Sequence, residues 1–175
     1  MTTSACDADV RAIAFDLDGT LVDSAPDIGH ALNSALHESG LQGFALDRVH
    51  AWIGDGPDPL IARALAALGQ GEAPSALRAT LRAAFDRATL AAPLTHGTVF
   101  EGIDALLQQL QPNWPMVVVT NKPTALARAV LDAAGLLPRL AAVYGADVAA
   151  LRQPAPAMLQ QAARPLGVAP QQLLM

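Results

Sequence analysis

The chain has 175 residues, of which 52% are hydrophobic and only 15% charged, with a formal net charge of −5. That length suits one domain, or one domain carrying a small insertion. The acidic balance gives no clustered Lys/Arg footprint for nucleic acid, and no apolar run is long enough to span a membrane. Alanine (37) and leucine (26) carry the apolar content, which favours helices that pack closely. Ten of the eleven basic residues are arginine, and Lys122 is the only lysine. The one cysteine, Cys6, excludes an internal disulfide framework. It sits in an N-terminal stretch without the basic start and apolar core of a secretory signal, so the expected location is cytoplasmic.

In chain order, Arg11 to Asp16 is a short apolar run ending at acidic residues and Gly19, the pattern of a buried strand entering a loop. From Ser24, a possible cap, Pro26 and the helical spacing of Ile28, Leu32, Ala35 and Leu36 predict a helix that stops at Gly40. Two more helices are predicted at Asp58–Leu68 and Ser75–Leu90, preceded by the Gly54-Asp55-Gly56 turn. After Pro93 strand and helix alternate: helix Glu101–Leu110, strand Met116–Thr120, a helix from Pro123 through Ala134 capped by Gly135, and a strand around Ala142–Tyr144. A helix starts at Pro156 and is expected to end before Pro165, whose ring costs about 3 kcal/mol in a helix interior. Gln172 to Met175 reads as the first half of a further buried strand. One short strand cannot form a sheet alone, so the chain reads as an α/β core interrupted after its first strand by a helical insertion. The core takes residues 10–23 and 93–175, and the helical cap takes 24–92.

The chemistry concentrates in Phe15-Asp16-Leu17-Asp18-Gly19-Thr20. Two carboxylates leave one strand at the edge of a parallel sheet where ligands bind. Their repulsion calls for a hard divalent cation such as Mg²⁺. One carboxylate can then attack phosphorus while the other handles the proton of the leaving group and of water.

These residues, extended through Thr20-Leu21-Val22-Asp23-Ser24, resemble the first motif of the haloacid dehalogenase superfamily, and Val117-Val-Val-Thr-Asn-Lys-Pro123 resembles its second. Trp52-Ile-Gly-Asp-Gly56 is similar to the substrate-facing loop of the family's cap, and the branch most resembled is that of the phosphoglycolate phosphatases. The resemblance implies a Rossmann-like parallel sheet with a cap. It implies an Mg²⁺-dependent phosphate monoester hydrolase acting on 2-phosphoglycolate, a small phosphorylated metabolite, through an aspartyl-phosphate. Asp16 would be the nucleophile and Asp18 the general acid/base. The metal would lie on Asp16 and Asp18, the latter through its main-chain carbonyl. Thr120 would bind phosphoryl oxygens, and Asn121, Lys122, Gly54 and Gly56 would line the phosphate and substrate site. The dehalogenase branch fits less well, because its chemistry does not call for Asp18.

Two departures bear on activity. The family's third motif places a lysine before Pro-x-Pro, and here Leu151-Arg152-Gln153-Pro154-Ala155-Pro156 puts Gln153 there, with Arg152 one position early as a stand-in. Removing one charge-stabilising group typically costs about 10²- to 10³-fold in rate. The fourth motif, Gly-Asp-x-x-x-Asp, would follow Leu173-Leu174-Met175, so the core is expected to be incomplete at its C-terminus, with an exposed sheet edge prone to self-association. The alternative reading is therefore a catalytically impaired, truncated family member acting at most as a binding module. His30, His37, His50 and His96 lack ligand spacing, and Trp52 and Trp114 read as packing residues.

Overall fold

The computed structural model describes residues 9–175, so Cys6 lies outside the described residues. The central strand is β4 (Met116–Thr120), every residue of which is buried. Its run of three valines suits a strand covered on both faces. On one side lies β1 (Ala12–Phe15), and on the other β5 (Ala142–Gly145). A two-residue strand, β6 (Leu173–Leu174), adds to the far edge of β1 and pairs with Ala12 and Ile13. The order β5-β4-β1-β6 is parallel throughout.

The side chains of β4 alternate between two layers, as the pleat requires. Met116 and Val118 pack with Leu107 of α5 (Ile103–Leu110) and with Ala127, Val130 and Leu131 of α6 (Thr124–Ala133). Val117 and Val119 face Met158 and Ala162 of α7 (Ala157–Leu166). Contrary to expectation, α7 continues through Pro165 and ends at Gly167 in the left-handed conformation. So near the C-terminus the ring removes one helical bond, and the glycine closes the turn without penalty.

Between β1 and the rest of the core stand four helices: α1 (Ala25–Glu38), α2 (Leu46–His50), α3 (Pro57–Ala67) and α4 (Ser75–Ala91). Their shared core joins Leu32, Ala35 and Leu36 of α1 to Leu60, Ala64 and Leu65 of α3 and Leu81, Ala84 and Phe85 of α4. Small residues at these contacts let the helices approach closely. Leu126 of α6 belongs to the same cluster, so the helical block and the sheet share apolar surface. Trp52 packs edge-on against Phe44, their ring centres 5.0 Å apart, with Arg48 over both rings.

The chain leaves and re-enters the sheet domain through a two-stranded antiparallel ribbon, β2 (Val22–Asp23) with β3 (Thr98–Val99). Just beyond it, the buried carboxylate of Asp27 accepts hydrogen bonds from the main-chain N–H groups of Thr95 (2.9 Å), His96 (2.9 Å) and Gly97 (2.8 Å). Among the described residues no helix is long and apolar enough to cross a membrane.

Candidate active site

The site begins where β1 ends. Leu17, fully buried, anchors a tight turn whose carbonyl accepts the N–H groups of Thr20, Leu21 and Val22. Gly19 takes φ +81°, which lets the backbone reverse and its N–H reach the Val22 carbonyl at 2.9 Å. This reversal brings Ser24 back over the loop. Ser24 was expected to cap α1, but its hydroxyl caps nothing and donates instead to Asp18 Oδ1 at 2.5 Å.

The second contribution comes from the end of β4. Thr120 is 1% exposed, and its hydroxyl favours the ionised form of the neighbouring Asp16 carboxyl. The Lys122 N–H donates back to the Thr120 hydroxyl at 3.3 Å. Lys122 itself is not a solvated loop residue: it is 5% exposed, and its Nζ lies 2.7 Å from Asp18 Oδ1. Asn121 faces the helical block, donating through Nδ2 to the Gly54 carbonyl (3.0 Å) and accepting the Gln153 N–H at Oδ1 (2.7 Å).

Asp16, Asp18, Gly54, Gly56, Thr120, Asn121 and Lys122 line a single cavity. Strand ends supply its polar floor. The opposite wall is apolar, made by Ile28, Ile53, Leu60, Phe85 and Leu126. Gly56 opens α3 at φ +86°, and a Cβ there would sit 2.7 Å from the Asn121 carbonyl oxygen. Only glycine allows the helical block to come this close to the β4–α6 loop.

Burial pushes the Asp16 carboxyl above its ordinary value of 3.8. The Leu17 N–H, 2.8 Å from Oδ1, and the Thr120 hydroxyl pull it down, Asp18 pushes it further up, and Lys122 offsets part of that. A half-buried carboxylate in this position lacks enough positive charge around it. The available donors are hard oxygens: the Asp16 carboxylate and the Asp18 main-chain carbonyl, to which no main-chain N–H among the described residues donates. Such a set fits a small divalent cation that keeps several waters. No group of three or more His, Cys, Asp or Glu is placed to hold a metal among the described residues.

The residues of the third motif take other roles. Gln153 donates from Nε2 to the Val119 carbonyl at 3.0 Å, tying its segment to β4. Arg152 points to Asp58 of α3, 3.6 Å away, and not to the two aspartates at the end of β1. His30 and His96 stack with ring centres 4.0 Å apart, a pairing their separation in sequence concealed.

The family model for haloacid dehalogenase-like hydrolases matches residues 10–175. The chain belongs to the haloacid dehalogenase-like hydrolases. Within them it falls in the phosphoglycolate phosphatase-like branch. It is 42% identical over 156 residues to a phosphoglycolate phosphatase of Cereibacter sphaeroides (strain ATCC 17029 / ATH 2.4.9), an alignment covering 88% of this chain and 71% of that one. The corresponding protein of Yersinia pseudotuberculosis serotype I (strain IP32953) is 36% identical over 166 residues, 94% of this chain and 71% of its relative. Among solved structures, a predicted phosphoglycolate phosphatase from Haemophilus somnus 129pt superposes with a TM-score of 0.84 at 26% identity, covering 96% of this chain and 76% of that one. This likeness accounts for the whole layout of a haloacid dehalogenase-like hydrolase: the parallel sheet, the helices between β1 and β4, and the carboxylates at the strand end.

Proposed function

We propose that the chain hydrolyses 2-phosphoglycolate, a small phosphate monoester, through a phosphoryl group held transiently on Asp16. The observation that carries this reading is the meeting of Asp16 and Asp18 from the end of β1 with Thr120 from the end of β4 in one cavity. The names of its relatives support the substrate.

In the first step an Asp16 carboxylate oxygen attacks phosphorus and the bond from phosphorus to the ester oxygen breaks. Asp18 gives its proton to the departing oxygen, releasing an alcohol. In the second step Asp18 takes a proton from a water, whose oxygen attacks the same phosphorus. The acyl-phosphate bond breaks, inorganic phosphate leaves, and both aspartates regain their starting states. The Leu17 N–H holds Asp16 in line, and the Thr120 hydroxyl presents a donor where negative charge gathers. Mg²⁺, bound by the Asp16 carboxylate and the Asp18 carbonyl with waters completing its shell, would neutralise the charge shared by nucleophile and phosphoryl group. The helical block covers the site with the apolar wall and excludes water from the first step.

A second reading, a family member that binds phosphate without turnover, draws on Gln153, whose amide is spent on the Val119 carbonyl and brings no cation to the site. Phosphate release from 2-phosphoglycolate in the presence of Mg²⁺ decides between them. Turnover that disappears in Asp16→Asn is expected, and its absence from the unaltered protein would leave the binding module standing.

A further inference from the structure

The two donors that reach Asp18 land on the same oxygen. Ser24 Oγ lies 2.5 Å and Lys122 Nζ 2.7 Å from Oδ1, one arriving from the N-terminus of α1 and the other from the β4–α6 loop. The Lys122 side chain is only 5% exposed and that of Asp18 14%, so this is an enclosed contact and not a surface ion pair. The main chain of Lys122 is fixed as well. Its N–H donates to the Thr120 hydroxyl and its carbonyl accepts the Ala146 N–H at 3.3 Å, with Gly145 so close that a Cβ there would lie 2.5 Å from that carbonyl. Among the described residues Lys122 is also the only cationic side chain lining the cavity, since Arg152 is turned toward Asp58.

Resting on the hydrolase reading above, we propose that Lys122 is a positioning residue for proton transfer. With Ser24 it pins Oδ1 of Asp18, leaving Oδ2 to deliver the proton to the departing ester oxygen and to take one back from water. Lys122 keeps its own protons throughout, so the balance of both steps is unchanged. A carboxyl group free to rotate about its Cβ–Cγ bond would present the wrong oxygen for much of the time. Two donors from different elements remove that freedom before the substrate arrives.

The prediction is selective for the leaving group. An alkyl ester departs as a poor leaving group that needs a proton, whereas p-nitrophenolate departs without one. The measured quantity is kcat/KM, which covers all steps through departure of the leaving group. For Lys122→Met it should fall about 10²-fold on 2-phosphoglycolate, the size of a general-acid contribution, and by less than about tenfold on p-nitrophenyl phosphate. Asp18→Asn should show the same split. Glycerol phosphate replaces 2-phosphoglycolate as the alkyl ester if the latter is not turned over. Equal losses on the aryl and alkyl esters would overturn the proposal, because Lys122 would then be binding the phosphoryl group common to both. No loss on either would overturn it too. If Lys122→Met fails to fold by circular dichroism, Ser24→Ala removes the other donor to the same oxygen and should give a smaller loss confined to the alkyl ester. A loss shared by both esters there rejects the idea. Failure of the unaltered protein to hydrolyse either ester rejects the hydrolase reading itself, and the role of Lys122 with it.

Discussion

At Asp16 burial works against the charge of the side chain. Its carboxyl is raised above 3.8 chiefly by burial, so the folded state holds the proton more tightly than the unfolded chain does. Below 3.8 both states are protonated and the group contributes nothing unfavourable, but as pH rises through the folded value the buried charge costs stability. Without metal, Asp16→Asn is therefore expected to raise Tm at pH 7, with the gain shrinking as pH falls toward 4 and vanishing below about 3.8, which thermal melts across that range would follow. The same variant should lose turnover, since an amide cannot attack phosphorus. That Asp16, Asp18 and Thr120 meet in one cavity was legible in the sequence, because all three stand at the ends of strands of one parallel sheet. Ser24 was not. A serine before a helix reads as a cap, and only the reversal at Gly19 carries its hydroxyl to Asp18. Lys122 was visible as a residue, but its direction depends on how the loop after β4 is held, which no local pattern encodes.

At the level of elements, the long periodic segments were readable almost residue for residue: the strand Met116–Thr120 was anticipated with its observed limits, and α3 and α4 within one residue at each end. The β2–β3 ribbon and α2 were missed, because two residues per strand or five per helix give no periodicity to detect. Their stability comes from contacts distant in sequence, and Asp27 is the clearest case. One carboxylate serves three N–H groups about seventy residues away, clasping the two chain crossings between sheet and helical block. Asp27→Ala removes the buried acceptor of all three N–H groups and should lower the unfolding free energy by about 2 kcal/mol, read as a lower urea midpoint at unchanged slope. Gly97 closes the same clasp from the other side: a Cβ would stand 2.1 Å from the Asp23 carbonyl oxygen, backbone against backbone. Gly97→Ala is expected to part β2 from β3 and destabilise the protein at least as much, whereas alanine at the equally polar but unconfined Gly71 should change little.

On the scale of the whole molecule, the site exists only because two layers meet. The sheet presents the aspartates and Thr120, the helical block supplies the apolar wall together with Leu126 of α6, and the seam between them is held by Asn121 on the Gly54 carbonyl and by Asp58, which pairs with Arg152 of the core and Arg82 of α4. Gly56→Ala tests that seam. Its Cβ would press on the Asn121 carbonyl at a backbone angle that alanine rarely adopts and push the helical block away from the floor, so kcat/KM should fall about tenfold or more and the Tm should fall with it. The alternation of strands and helices revealed this two-layer plan in the sequence, yet not how closely the layers approach, since that distance is set by the absence of a single Cβ. The same enclosure governs how the protein responds to metal. A cation that binds the folded site and not the unfolded chain stabilises by RT ln(1 + [L]/Kd), about 2.7 kcal/mol at a hundred times Kd. Raising Mg²⁺ should therefore raise Tm roughly in step with the logarithm of its concentration once the site is saturated, and a chelator should reverse the rise. Because the cation relieves the charge that burial makes costly at Asp16, Asp16→Asn should begin from a higher Tm and gain almost nothing from Mg²⁺. An Mg²⁺-dependent rise of equal size in Asp16→Asn would place the metal elsewhere in the molecule.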